Sequence, residues 1–107
     1  EIFGNNPQIY FNDNIDDPRD LKNFSDEIKQ KFLDGIIVLV SKKNDKISLV
    51  VSITNSYQEK YNAIDLLKKF VEFLGGKGGG GRSDLAQGGA PFSKKVNELK
   101  SFILSIL

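Results

Sequence analysis

The chain has 107 residues, 39% apolar and 27% charged, with a net charge of +1 at neutral pH, which suits one domain with a single core. It contains no cysteine and no histidine, so disulfides, thiolate nucleophiles, thiolate zinc sites and the commonest general base are excluded, and no catalytic or metal-binding residue is expected in it. Its longest apolar stretch, Ile36 to Val40, is far short of the roughly 20 residues that cross a bilayer, and no leader pattern opens the sequence. A soluble, cytoplasmic chain with no membrane partner is expected.

Residues 1–8, which include Gly4, Asn5, Asn6 and Pro7, read as a connector or frayed end, leaving 9–107 as a single globular domain. Ile9-Tyr10-Phe11 is predicted as a short first strand. Asp16 or Asp17 then caps a helix that has Pro18 and Asp20 in its first turn, and Leu21, Phe24, Ile28 and Phe32 follow at helical spacing as one buried face. Gly35 ends that helix. The β-branched run Ile36–Val40 suits a central strand buried on both sides, and Asn44-Asp45 is a turn. With Ile47, Leu49, Val50, Val51 and Ile53 returning, residues 36–53 form an antiparallel hairpin. Its tip lysines, Lys42, Lys43 and Lys46, read as a solvated end in preference to a phosphate contact.

Asn55-Ser56 breaks the second strand. A second helix is predicted from about Tyr61 to Leu74, with Ile64, Leu67, Phe70, Val71 and Leu74 on its apolar face. After the glycine-rich stretch, Pro91 and Ser93 start a last helix in which Val96, Leu99, Ile103 and Ile106 repeat to the C-terminus. Ile106 and Leu107 complete the core in preference to forming an exposed end for self-association. The order strand, helix, two strands, helix, glycine loop, helix gives an α/β (α+β) fold, a small mixed sheet of about four strands covered by about three helices.

Eight of the ten glycines lie between Gly75 and Gly89, around Lys77 and Arg82. Such a run fits places where the backbone takes positive φ or where something approaches it closely. The two cations point to an anionic visitor. Successive small residues let several amides form a concave donor surface for phosphate oxygens; Lys77 adds a point charge and Arg82 a planar fork. Asp84 is expected to orient Arg82 or the loop backbone, or to accept hydrogen bonds from a ribose or base, and Gln87 to offer a polar contact to a base edge or sugar hydroxyl. Residues 1–34 carry eight acids against four bases, and residues 35–107 six against eleven, so the cationic part is the part that holds this loop. Nucleotide-binding glycine motifs fit poorly. Lys77 is followed by Gly78 and not by Ser or Thr, and the loop follows a helix where a dinucleotide fingerprint follows a strand.

Gly75-Gly76-Lys77-Gly78-Gly79-Gly80, with Arg82, Asp84, Ala86, Gln87 and Gly88-Gly89, closely resembles the signature of the C-terminal domain of alanyl-tRNA synthetases, a domain type also found with DHH phosphoesterases. The resemblance covers about residues 9–106. It departs from the usual pattern in one extra glycine before Arg82, in Ser83 where proline is common, and in Ile64 where glycine is common. Lys77 stands where the phosphoesterases carry histidine, which favours the synthetase branch. Lacking methionine and beginning at Glu1, the sequence is expected to be a piece of a longer polypeptide.

The resemblance implies a noncatalytic tRNA-binding module that contacts the outer corner of tRNA(Ala) and supports aminoacylation and editing by upstream domains of the same chain. It carries the RNA-binding role over to Gly75, Gly76, Lys77, Gly78, Gly79, Gly80, Gly81, Arg82, Asp84 and Gln87. The parent would be an ATP-dependent alanine–tRNA ligase with ATP, magnesium and zinc in its upstream domains and no cofactor here. Homo-oligomerisation is a further family role. The alternatives are a substrate-binding domain of a DHH-type phosphoesterase and a mainly oligomerisation module.

Overall fold

The computed structural model describes residues 1–32 and 34–107. Six strands form one mixed sheet: β1 (Ile2–Phe3), β2 (Gln8–Ile15), β3 (Gly35–Lys43), β4 (Lys46–Ile53), β5 (Gly78–Gly81) and β6 (Leu85–Pro91). Their spatial order is β1-β2-β3-β4-β6-β5. Three α-helices accompany them, α1 (Leu21–Lys31), α2 (Ala63–Phe73) and α3 (Leu99–Ile106). The fold class is the expected one, with two corrections of detail. The sheet has six strands where about four were expected, and the added ones come chiefly from the glycine-rich stretch, which is a β-hairpin and not a loop.

β2 and β3 run parallel, joined through α1, while every other neighbouring pair is antiparallel. A parallel pair needs such a crossover, and the crossover helix must cover the sheet. On one face Leu21 of α1 and Phe32, just past its end, pack with Ile15, Ile37, Leu39, Val50 and Leu85. On the other, α2 and α3 cover Ile36, Val38, Val40, Leu49 and Val51. Alternate residues of Ile36–Val40 therefore enter two different cores, and all five are fully buried, which is why that segment reads as an unbroken apolar run.

Local chemistry sets the element ends. Asp17 accepts from Arg19 N in the 3-10 turn that precedes α1, Asn62 caps α2 by accepting from Ile64 N and Asp65 N, and Ser93 accepts from Lys95 N. Asn44 and Asp45 have φ of 56° and 59°, the pair of left-handed residues that a tight two-residue hairpin turn requires. The last helical region begins as a 3-10 turn over Lys94–Glu98 before α3 proper.

Two apolar faces differ from expectation. Phe24 is 40% exposed, and Ser25 is buried in its place on α1; Ile64 on α2 is also exposed. Ile106 and Leu107 are partly buried against the larger core. Phe102 of α3 stacks on Phe73 of α2, with ring centroids 4.2 Å apart, and meets Phe70 edge-on, fixing the two helices together. Among the described residues no helix is long and apolar enough to cross a membrane.

Candidate nucleic-acid interface

The glycine hairpin begins where α2 stops. Gly75 takes φ +89°, and its amide bonds Glu72 O while that of Gly76 bonds Val71 O. This is a helix terminus closed by a left-handed residue. Gly76 then lies so close to the sheet that an added Cβ would meet Val71 Cγ1 at 2.6 Å and Ala90 Cβ at 2.8 Å. The chain turns there into β5, which pairs with β6 from Gly78 opposite Gly89 to Gly81 opposite Ala86.

Arg82 N donates to Leu85 O at 2.8 Å, in register with that ladder. Hydrogen-bonded and non-bonded pairs alternate in an antiparallel ladder, so Arg82/Leu85, Gly80/Gln87 and Gly78/Gly89 are the bonded pairs. The amides of Gly79 and Gly81 face away from β6. Because β5 is the outermost strand, they point to the open edge of the sheet, about 6.6 Å apart at two strand residues. The amides therefore stand in a row along an edge and do not form a cup.

Lys77 and Arg82 bracket this row. Four strand residues lie between them, so their Cα atoms are five extended steps or about 16 Å apart, which suits two points along an anionic strand better than one anion. Both are exposed. Arg82 Nε donates to Asp84 Oδ1 at 3.1 Å, its side chain is 69% exposed, and its terminal nitrogens have no hydrogen-bond partner among the described residues. Asp84 thus aims the guanidinium and leaves its outer nitrogens free. Lys29 of α1 holds the other oxygen of Asp84 at 3.9 Å, an anchor that nothing in the local sequence signalled.

Gln87 is exposed and lies opposite Gly80 and Val50. It shares the sheet face of Leu85 and Val50 but borders a shallow depression of about 330 Å³ with Pro18, Arg19, Leu21, Ser48 and Gly88. Arg19 at this rim also escaped the sequence reading; its Asp17 partner lies two residues away. Among the glycines Gly80 is distinct. An added Cβ would meet no atom within 4 Å, and its φ is not in the left-handed region. The fold itself gives no steric reason for glycine there. Among the described residues no group of three potential ligands could hold a metal ion.

Burial pushes the Asp84 carboxyl upward, but the Arg82 hydrogen bond, a bond from its own amide and the charges of Arg82 and Lys29 outweigh it, leaving the group below its ordinary value of 3.8. A carboxylate held low when folded contributes stability above its unfolded pKa and loses it as pH falls through the folded value. Asp84→Asn is therefore expected to lower the melting temperature at pH 7, and the difference from the parent should shrink as pH drops below 3.8. Thermal melts across pH 2–8 check this; a deficit that persists unchanged in acid would contradict it.

The sequence matches the DHHA1 domain family over residues 5–107. It is 51% identical over 73 residues to an alanine–tRNA ligase of Paramagnetospirillum magneticum, covering 68% of this chain and 8% of that protein. With an alanine–tRNA ligase of Ruthia magnifica it shares 42% identity over 89 residues, 79% of this chain and 10% of the relative. The chain thus spans about a tenth of the length of these relatives. Its structure superposes on the C-Ala domain of alanyl-tRNA synthetase from Aquifex aeolicus with a TM-score of 0.87 at 28% identity, covering 100% of this chain and 97% of that one.

Proposed function

The chain belongs to the DHHA1 domain family, its curated relatives are alanine–tRNA ligases and it is similar to the C-Ala domain of an alanyl-tRNA synthetase; from this we propose that it is the tRNA-binding module of an alanine–tRNA ligase. The observation that carries the reading is the open edge of β5. Two outward amides stand in a row there between Lys77 and Arg82, beside a glycine the fold does not need.

Successive phosphates of a bent RNA strand can bond the Gly79 and Gly81 amides, with Lys77 and Arg82 neutralising the phosphates on either side. Gly80 leaves room for a sugar or base to rest on the backbone. Gln87, across the strand from it, offers an amide to a base edge or a 2′-hydroxyl. Gly75, Gly76, Gly78 and Asp84 hold the hairpin and its arginine in place. Such a surface holds RNA and does no bond chemistry. Aminoacylation and editing, with ATP, magnesium and zinc, are assigned to upstream domains, and the module helps keep one tRNA(Ala) engaged with both.

The contact is assigned to the outer corner of the tRNA, where the D and T loops meet. Full-length tRNA(Ala) should therefore bind the chain and displace labelled tRNA(Ala), whereas an acceptor-stem minihelix lacking both loops should compete at least about tenfold less well. Equal competition by the minihelix would overturn the corner assignment.

A further inference from the structure

We propose that the end of the sheet around Phe92 is a second nucleic-acid contact, where Phe92 stacks on an unpaired base and Lys46 and Lys94 hold the phosphates beside it. This rests on the tRNA reading above and extends its site.

Phe92 is 51% exposed and is not among the residues of either core cluster, yet its backbone is fixed. Its amide donates to Asp45 O at 2.9 Å, Pro91 before it lies opposite Lys46, and Ser93 after it accepts from Lys95 N. A ring held out on a rigid strand end can stack at little cost in ordering. Lys94 is within about 8 Å of Phe92, two residues along the chain.

The surrounding charges choose the occupant. Lys42 is engaged by Asp13 at 3.8 Å and Lys95 lies 5.6 Å from the Phe73 ring centroid. Lys43, Lys46 and Lys94 are exposed and have no carboxylate within 4.0 Å among the described residues. Asp45 is the acid in the turn itself, and Asp17 feels the charge of Lys43. An aromatic face among unpaired lysines opposes a second copy of the same surface and suits a ligand both anionic and aromatic, a nucleotide of single-stranded RNA. The patch is also continuous with the glycine edge. Gly76, next to Lys77, packs on Ala90, two residues before Phe92, so a strand leaving β5 past Lys77 reaches this ring.

The chain contains no tryptophan, so Phe92→Trp introduces a single indole at the proposed contact. Titration of that variant with tRNA(Ala) is expected to quench the indole emission. An unstructured oligouridylate should quench it too, and a blunt RNA duplex should not. Phe92→Ala should weaken tRNA(Ala) binding at least about fivefold with an unchanged melting temperature, and Lys46→Ala with Lys94→Ala should weaken it as well. Bound tRNA with an unquenched indole and undiminished affinity of Phe92→Ala would overturn the stacking contact and leave the glycine-edge reading standing. Failure of the parent chain to bind tRNA would remove both. Quenching by the duplex as strong as by the single strand, or an indole emission maximum that shifts with protein concentration in the absence of RNA, would also overturn it.

Discussion

Gly79→Ala is expected to destabilise the chain by about 3 kcal/mol, while Gly80→Ala, one residue on, leaves stability unchanged or slightly raised and weakens tRNA binding. The two glycines sit on opposite faces of β5. At Gly79 an added methyl would collide with the backbone of β6 at Gln87 O, and with Gly88 Cα at 2.5 Å. That collision is with main chain and cannot be relieved by turning a rotamer, so the hairpin would have to separate. The damage would spread to α2, because Gly88 packs against Leu67 and Gly76 against Val71.

At Gly80 the methyl would enter open space. Removing a glycine from a strand reduces the freedom of the unfolded chain, worth about 0.5 kcal/mol in favour of folding. Any loss there must come from a partner that approaches the backbone. Melting curves and tRNA titrations on the same two proteins separate these effects. A fully stable Gly79→Ala would contradict the pairing of β5 with β6, and a Gly80→Ala with parental affinity would remove close approach at that position.

The central layers were legible in the sequence because they follow simple patterns. Ile36–Val40 is apolar at every position and lies between two cores, and Asn44-Asp45 marks the hairpin that follows. Ser93 marks the start of the last helical region, and the second helix, expected from about Tyr61, begins at Ala63 after its cap Asn62. Phe24 and Ser25 show the limit of spacing alone. Both are compatible with a stripe through Leu21, and packing against the sheet selects the smaller residue, burying Ser25 and leaving Phe24 exposed.

The glycine run was legible as a site but not as a strand. Strand signals come from β-branched and aromatic side chains, and Gly78–Gly81 has no side chains at all. It becomes a strand only because β6 supplies a ladder and α2 a floor. Once it is extended, Lys77 and Arg82 lie at its two ends, a separation invisible while the segment is imagined as a compact loop. The Lys29–Asp84 contact joins α1 to the hairpin turn, 55 positions apart in sequence, and no local pattern encodes such a pairing.

The second large effect concerns those two end cations. Lys77→Ala combined with Arg82→Ala should reduce tRNA(Ala) affinity roughly thirtyfold at low salt, taking about 1 kcal/mol for each exposed charge-assisted contact. Both side chains are exposed, so their removal should leave the melting temperature close to that of the parent, apart from the small share of Asp84's stabilisation that Arg82 provides. Loss of affinity at constant stability separates a binding role from a structural one.

Salt dependence tests the edge reading most directly. Titrating the parent chain and the Lys77→Ala, Arg82→Ala variant with tRNA(Ala) between 50 and 300 mM salt should give a log–log slope on the order of −3 for the parent, as expected when about four phosphates are neutralised, two of them at the β5 edge. The variant's slope should be shallower by about one to two, with its affinity approaching the parent's as salt rises. Superimposable lines for the two proteins, equal in slope and in affinity throughout, would contradict the proposal that the edge of β5 is where this chain meets RNA.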